Sequence, residues 1–217
     1  MRDIEQARFN MIEQQIRPCD VLDSRVLELL KQVRREHFVP SSQRALAFMD
    51  VEIPLSHGAK MWFPKEEGRA LQELKVKRNE RVLEVGTGSG YLTALLAALA
   101  AHVTTVEIDP ALSQFAQENL KPYQYDNITF AVGDAAQSWG NERYDVIVLT
   151  GSTPVLPPAY KQQLTVGGRL FAVVGEAPAM RAQLITRLSE DTYSSTPLME
   201  TGTAPLHNAL QPERFVF

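Results

Sequence analysis

Apolar positions recur with two different periods along this chain. Near the N-terminus, Val26, Leu27, Leu29, Leu30 and Val33 fall at helical spacing, and Asp23 or Ser24 stands where a cap is needed. Residues 1 to about 75 read as mainly helical. Pro40, Pro54 and Pro64 punctuate that region, so 50–64 reads as an extended loop of the kind that carries binding residues. From about residue 80 the pattern changes to short apolar runs separated by helical segments. Strands are predicted at 81–85, 103–108, 128–132, 144–150 and 169–174. Helices are predicted over 91–101, which is apolar nearly all round, and from Pro110 to about residue 120. Strands alternating with helices imply a mostly parallel sheet covered on both faces, an α/β fold. Beyond that, 184–188 and 193–199 flank the polar turn Ser189-Glu190-Asp191-Thr192 and predict an antiparallel hairpin, with 214–217 as a last strand. The expected organisation is one domain. It has an N-terminal helical cap and loop at 1–78, a ligand-binding core at 79–176, and a C-terminal hairpin and strand at 177–217.

Composition narrows the function classes. The chain has 217 residues, 44% hydrophobic and 22% charged, with a formal net charge of −4. That is ordinary for a globular protein, and the charge balance disfavours a nucleic-acid partner, which needs a concentrated basic face. The cluster Lys75, Lys77, Arg78 and Arg81 reads as a solvated loop. Cys19 is the single cysteine, so no intrachain disulfide forms, and its neighbours Arg17 and Asp20 suggest no activated thiolate. The four histidines and one cysteine show no metal-ligand spacing. The longest apolar stretch, 92–103, is interrupted by Thr93 and His102 and falls short of the roughly 20 residues that span a bilayer. A cytoplasmic location with no membrane contact is the expectation.

The candidate chemistry lies at Glu84-Val85-Gly86-Thr87-Gly88-Ser89-Gly90, between a strand and a helix. Glycines belong there because a nucleotide approaches the backbone closely and the turn calls for positive φ. The helix that follows presents unpaired N–H groups. Glu107 ends the next strand about 20 residues on, the spacing expected of an acid that accepts from ribose hydroxyls. Gly133-Asp134-Ala135 ends the third strand. All these positions map to the carboxyl ends of strands, where open α/β sheets bind ligands. A P-loop is excluded, because no Gly-Lys-Ser/Thr follows the glycines. A dinucleotide would want Gly or Ala at position 91, where Tyr91 stands. The pattern favours S-adenosylmethionine. The expected binding residues are Glu84, Gly86, Thr87, Gly88, Gly90, Glu107, Ile108, Asp134 and Ala135. Glu107 is expected on the ribose, Asp134 on the adenine amino group and the glycine loop along the methionine part.

The stretch Leu83-Glu84-Val85-Gly86-Thr87-Gly88-Ser89-Gly90-Tyr91-Leu92-Thr93-Ala94 resembles the cofactor motif of the protein-L-isoaspartate O-methyltransferases. So do Thr105-Val106-Glu107, Tyr144-Asp145-Val146-Ile147-Val148 and Gly167-Gly168-Arg169-Leu170. More specific to that family are Met11-Ile12-Glu13-Gln14-Gln15-Ile16-Arg17, Asp23-Ser24-Arg25-Val26-Leu27 and Arg35-Glu36-His37-Phe38-Val39-Pro40. Asp50 and Ile53-Pro54-Leu55 extend the match. The resemblance implies a Rossmann-like class I methyltransferase that forms carboxyl methyl esters on protein. It departs at one loop. The family carries Gly-Gln-Thr-Ile-Ser-Gln-Pro, with hydroxyls beside the methyl-transfer site, where this chain has Gly58-Ala59-Lys60-Met61-Trp62-Phe63-Pro64. Lys60 therefore replaces Thr, Trp62 replaces Ser, and His207 in Pro205-Leu206-His207 aligns with a Thr. Lys60, Trp62 and His207 are the candidate substrate-binding residues, with no catalytic side chain singled out. Trp62 reads either as a packing aromatic or as part of a pocket remade for another acceptor. Lys60 reads as a solvated loop lysine or as a partner for a carboxylate or phosphate. A protein or small-molecule methyl acceptor is expected. The alternatives are methyl transfer to RNA and an S-adenosylmethionine-binding module without activity.

Overall fold

The computed structural model describes residues 2–213. Helix α1, Arg2–Met11, runs into a wider turn at Ile12–Ile16 and a short 3-10 turn at Arg17–Cys19. Helix α2, Ser24–Gln32, is capped by Asp23, whose carboxylate accepts from the backbone N–H groups of Arg25 and Val26. Two-residue strands β1, Ile53–Pro54, and β2, Lys60–Met61, pair antiparallel, so the expected loop is closed into a small hairpin. Pro64, expected only as a break, opens helix α3, Pro64–Leu74, where its fixed φ suits the first helical position.

The core then alternates as expected: β3, Arg81–Val85; α4, Tyr91–Ala97; β4, His102–Glu107; α5, Pro110–Leu120; β5, Ile128–Val132; and β6, Tyr144–Leu149. A short helix α6, Pro158–Gln162, leads to β7, Leu164–Glu176, and then to β8, Ala179–Arg187, and β9, Tyr193–Glu200. The seven-stranded sheet has the order β5-β4-β3-β6-β7-β8-β9. Its first five strands are parallel and its last two antiparallel.

Strand periodicity divides the core into two. Val82, Val146, Val148, Phe171 and Val173 face the N-terminal helices, α3 and α4. Leu83, Ile147, Leu149, Leu170 and Ala172 face the other way, onto Tyr160 of α6. Successive side chains of a strand point to opposite faces, so strands apolar on both sides have to be covered on both.

Two sequence expectations need correction, and a third lies where the structure is not described. Helix α4 stops at Ala97, because the Ala101 N–H is taken by the Glu80 carbonyl at 2.9 Å and the chain is already turning into β4. The hairpin around 189–192 is present, but β8 begins at Ala179 and makes a second, longer hairpin with β7. The mixed polarity of Met180-Arg181-Ala182-Gln183 hid that half of the strand. The strand expected at 214–217 lies outside the described residues.

Candidate active site

The carboxyl ends of β3, β4, β5 and β6, the β1–β2 hairpin and the segment 203–208 enclose a cleft of about 550 Å³. Its floor is the glycine turn. Gly86, Gly88 and Gly90 have φ of +94°, +54° and +84°, in the region that disfavours a side chain. A Cβ on Gly86 would lie 2.1 Å from Thr150 Oγ1, whose hydroxyl reaches the carbonyls of Val85 and Gly86, each at 2.8 Å. This glycine is required by the close approach of the Thr150 side chain, a reason the sequence did not show. Gly90 has a different task. Its missing Cβ would stand 3.0 Å from the Ala116 Cβ, so it lets α4 pack on α5 and does not face the cleft.

Two acidic residues sit at strand ends with their carboxylates already oriented. Glu107 is 6% exposed. Its Oε2 accepts from Gly88 N at 2.9 Å and its Oε1 from Asp109 N at 3.2 Å. The glycine turn and the start of α5 thus hold one carboxylate at the mouth of β4, with lone pairs to spare. Asp134 accepts from Ala136 N at 2.9 Å and from the Asn208 side-chain amide at 2.8 Å. Ile108 is exposed at the rim and Ala135 buried against the wall. Thr87 is buried and bonds Thr105 through its hydroxyl at 2.7 Å.

Glu84 is fully buried beneath this floor. Its Oε2 accepts from Thr93 and Thr105 hydroxyls at 2.5 and 2.7 Å, while Oε1 has no partner. Burial pushes the carboxyl up to about 8, against the pull of the two threonines.

The three candidate substrate residues have separate fates. Trp62 is 6% exposed. Its indole N–H donates to the Thr150 carbonyl at 2.8 Å and its ring lies 5.7 Å from that of Phe171. It packs as an aromatic of the core and lines the cleft with one edge. Lys60 stands at the mouth, bonded to Glu52 at 2.8 Å. His207 is exposed and lines the opposite rim.

Several contacts shape the cleft beyond the expected binding residues. His57 contacts the Asp109 carboxylate and so joins the β1–β2 hairpin to the start of α5 across the rim. The segment 203–208 is strapped down by Ser152 N to Ala204 O and Leu206 N to Ser152 O, both at 2.9 Å. Fully buried Arg35 pairs with Glu67 at 3.0 Å and lies 5.6 Å from the centre of the Tyr91 ring. The Tyr91 hydroxyl is buried without a partner.

Among the described residues, no group of three His, Cys, Asp or Glu side chains is placed to hold a metal ion. No helix there is long and apolar enough to cross a membrane.

Comparison with known proteins decides the lineage. The family model described as protein-L-isoaspartate(D-aspartate) O-methyltransferase matches residues 6–211. The chain belongs to that family. Among its relatives, protein-L-isoaspartate O-methyltransferase 1 of Rhodopseudomonas palustris (strain HaA2) is 37% identical over 201 residues, 92% of this chain and 82% of the relative. Protein-L-isoaspartate O-methyltransferase 2 of Marinobacter nauticus is 35% identical over 207 residues, 94% of each chain. A crystal structure of a Plasmodium falciparum protein, assigned as a protein-L-isoaspartate O-methyltransferase and in complex with S-adenosyl-L-homocysteine, superposes with a TM-score of 0.78. It covers 91% of this chain and 96% of its own, and at 21% identity it establishes the shared fold. The Rossmann-like methyltransferase architecture expected from the sequence is therefore the architecture of this chain, with its parallel core and antiparallel end.

Proposed function

We propose that this chain is an S-adenosylmethionine-dependent methyltransferase whose acceptor is not the isoaspartyl carboxylate. The single observation that carries the cofactor reading is Glu107. Its carboxylate is pre-set at the end of β4 by Gly88 N and Asp109 N and faces a cleft of about 550 Å³. A ribose presents two adjacent hydroxyls, which a fixed carboxylate accepts in a bidentate manner. Asp134 and the backbone of Ala135 stand ready for the adenine edge, and Ile108 for its face. The unpartnered Oε1 of Glu84 supports a ligand that brings a positive donor to the glycine turn, as an α-ammonium does.

Bound there, S-adenosylmethionine supplies an electrophilic methyl group on a sulfonium. The protein's own part is to align and to exclude water. His57 on Asp109 and Asn208 on Asp134 close the two rims, and Trp62 with Met61 walls off the acceptor end. Against isoaspartate stands the local chemistry at the loop. A family hydroxyl there would donate to a substrate carboxylate. Here the Trp62 N–H is committed to the Thr150 carbonyl and the Lys60 amine to Glu52.

Calorimetry and thermal denaturation test this reading. S-adenosylmethionine or S-adenosylhomocysteine at about 100 times its Kd adds roughly 2.7 kcal/mol, a Tm rise of about 5–11 °C for a chain of this size. An isoaspartyl peptide is methylated no faster than its normal aspartyl control. A shift with NAD and none with either sulfur ligand overturns the cofactor assignment. Isoaspartyl turnover well above the control overturns the acceptor assignment.

A further inference from the structure

The segment 203–208 is tied to the chain just after β6 at several points. Ser152 N donates to Ala204 O and Leu206 N to Ser152 O, both at 2.9 Å, and the Ser152 hydroxyl donates to Thr203 O at 2.9 Å. Gly151 has to be bare beside it, because a Cβ would lie 2.8 Å from Leu206 Cδ2 and 2.9 Å from Leu206 N. Ala209 N then closes a turn onto Leu206 O at 3.1 Å, and Asn208 within that turn has a φ of +59°. The backbone from 203 to 209 is thereby fixed, and it delivers the Asn208 side chain to the loop that follows β5.

Asn208 meets Asp134 there. Its Nδ2 donates to Asp134 Oδ2 at 2.8 Å, and both residues line the cleft. Asp134 Oδ1 is taken by Ala136 N at 2.9 Å. A carboxylate only accepts, so the amide is oriented with its nitrogen towards Asp134. Asn208 Oδ1, on the same amide, then stands as a second acceptor beside Asp134 Oδ2, and no described residue donates to it. Oδ2 itself keeps a lone pair for one more donor.

An aromatic amino group carries two hydrogens, and one acceptor satisfies only one of them. Resting on the cofactor reading above, we propose that Asn208 is a cofactor-binding residue that reads the adenine amino group together with Asp134. One N6 hydrogen goes to Asp134 Oδ2 and the other to Asn208 Oδ1. With the existing bond from Asn208 Nδ2 to Asp134, the three groups close a ring of hydrogen bonds. An asparagine oxygen accepting from N6 is an established means of reading adenine. A base with an oxo group at that carbon turns lone pairs towards both acceptors and leaves them unpaired. Sites built to bond a polar group reject analogues that lack it for this reason.

The turn offers a purely structural use for the same residue. Asparagine is among the few residues with a side chain that tolerate positive φ, and position 208 requires one. Glycine meets that backbone need equally and has no amide. The two uses are therefore separable by one substitution.

The test is calorimetric titration of the full chain with S-adenosylhomocysteine and with S-inosylhomocysteine, which carries an oxo group in place of the amino group. Wild type is expected to prefer the adenine ligand by about a hundredfold, about tenfold for each amino hydrogen. Asn208→Gly keeps the turn, weakens S-adenosylhomocysteine about tenfold and leaves S-inosylhomocysteine little changed, so the preference shrinks about tenfold. Asn208→Asp also suits the turn but sets a second carboxylate against Asp134. It serves if the Gly variant folds poorly, and is expected to weaken the adenine ligand at least as much. A wild type that does not distinguish the ligands overturns the Asn208 assignment while the cofactor reading stands. So does a variant with unchanged affinities, or one that weakens both ligands equally, which is the mark of a structural role. Failure of wild type to bind S-adenosylhomocysteine removes both.

Discussion

Replacing Trp62 by Ser, the residue the family carries at this place, tests whether the acceptor loop was rebuilt or merely redecorated. The indole is 6% exposed, packs 5.7 Å from the Phe171 ring and donates to the Thr150 carbonyl at 2.8 Å. Truncating a buried Trp or Phe costs about 3–5 kcal/mol in transfer and cavity terms. The stranded Thr150 carbonyl adds roughly 1 kcal/mol unless water reaches it through the cleft. For a chain of this size each kcal/mol moves Tm by about 2–4 °C, so Trp62→Ser lowers it by about 6–24 °C. Trp62→Phe keeps most of the ring and loses the donor, and sits between wild type and Ser. Differential scanning calorimetry of the three proteins, each with and without S-adenosylhomocysteine, reads these shifts directly. The same preparations, with Lys60→Thr added, are then assayed on an isoaspartyl peptide with ligand present to hold the fold. A Tm drop under about 2 °C refutes the reasoning, because it means the indole is no part of the core. The loop then changed its surface chemistry without changing its packing.

Two further outcomes follow from the cofactor end. Glu107→Ala removes a charged acceptor for ribose, worth roughly 1.5–3 kcal/mol per bond; cofactor affinity by calorimetry falls at least about tenfold, and an unchanged Kd in a folded variant means the ribose lies elsewhere. Glu84 titrates near 8 in the fold against 4.5 in the open chain, so the folded state holds a proton that the unfolded chain has lost between those values, and stability falls as pH rises from about 5 to 8. Glu84→Gln, neutral throughout, gains in urea denaturation relative to wild type across that window, and a difference flat in pH would show that Glu84 ionises without cost.

The proposed cofactor end was legible in the sequence as a motif, a glycine turn after a strand with an acid about 20 residues on. The clash with Thr150 that requires Gly86 was not, because it joins residues far apart in the chain. Gly90 was read into the same motif, although its reason is the packing of α4 on α5. Periodicity cannot separate a glycine that clears a ligand from one that clears a helix. The acceptor end was legible only in part. Lys60 and Trp62 stood out against the family loop, but their partners Glu52 and Thr150 did not. The Arg35–Glu67 pair joins residues 32 positions apart, and the segment 203–208 returns over the cleft by bonding Ser152. Such contacts leave no period and no fixed spacing. The same limit hid the first half of β8, whose polar residues make a half-buried strand look like a loop.

The two buried carboxyls show how occupancy and stability are joined. Glu84 Oε1 is buried with no donor among the described residues, a cost that ionisation increases. The Thr93 and Thr105 hydroxyls hold one oxygen of Glu84, and buried Arg35 holds one oxygen of Glu67. Arg35 makes the arrangement tolerable at 67 by neutralising one oxygen, and by holding the Trp62 carbonyl it sets the wall of the acceptor end at the same time. A change at Arg35 therefore has two effects that cannot be separated, loss of the Glu67 orientation and loss of the loop. A change at Glu67 leaves the loop tied to Arg35 through the Ala47 and Trp62 carbonyls, and for that reason it is the cleaner probe of the pair.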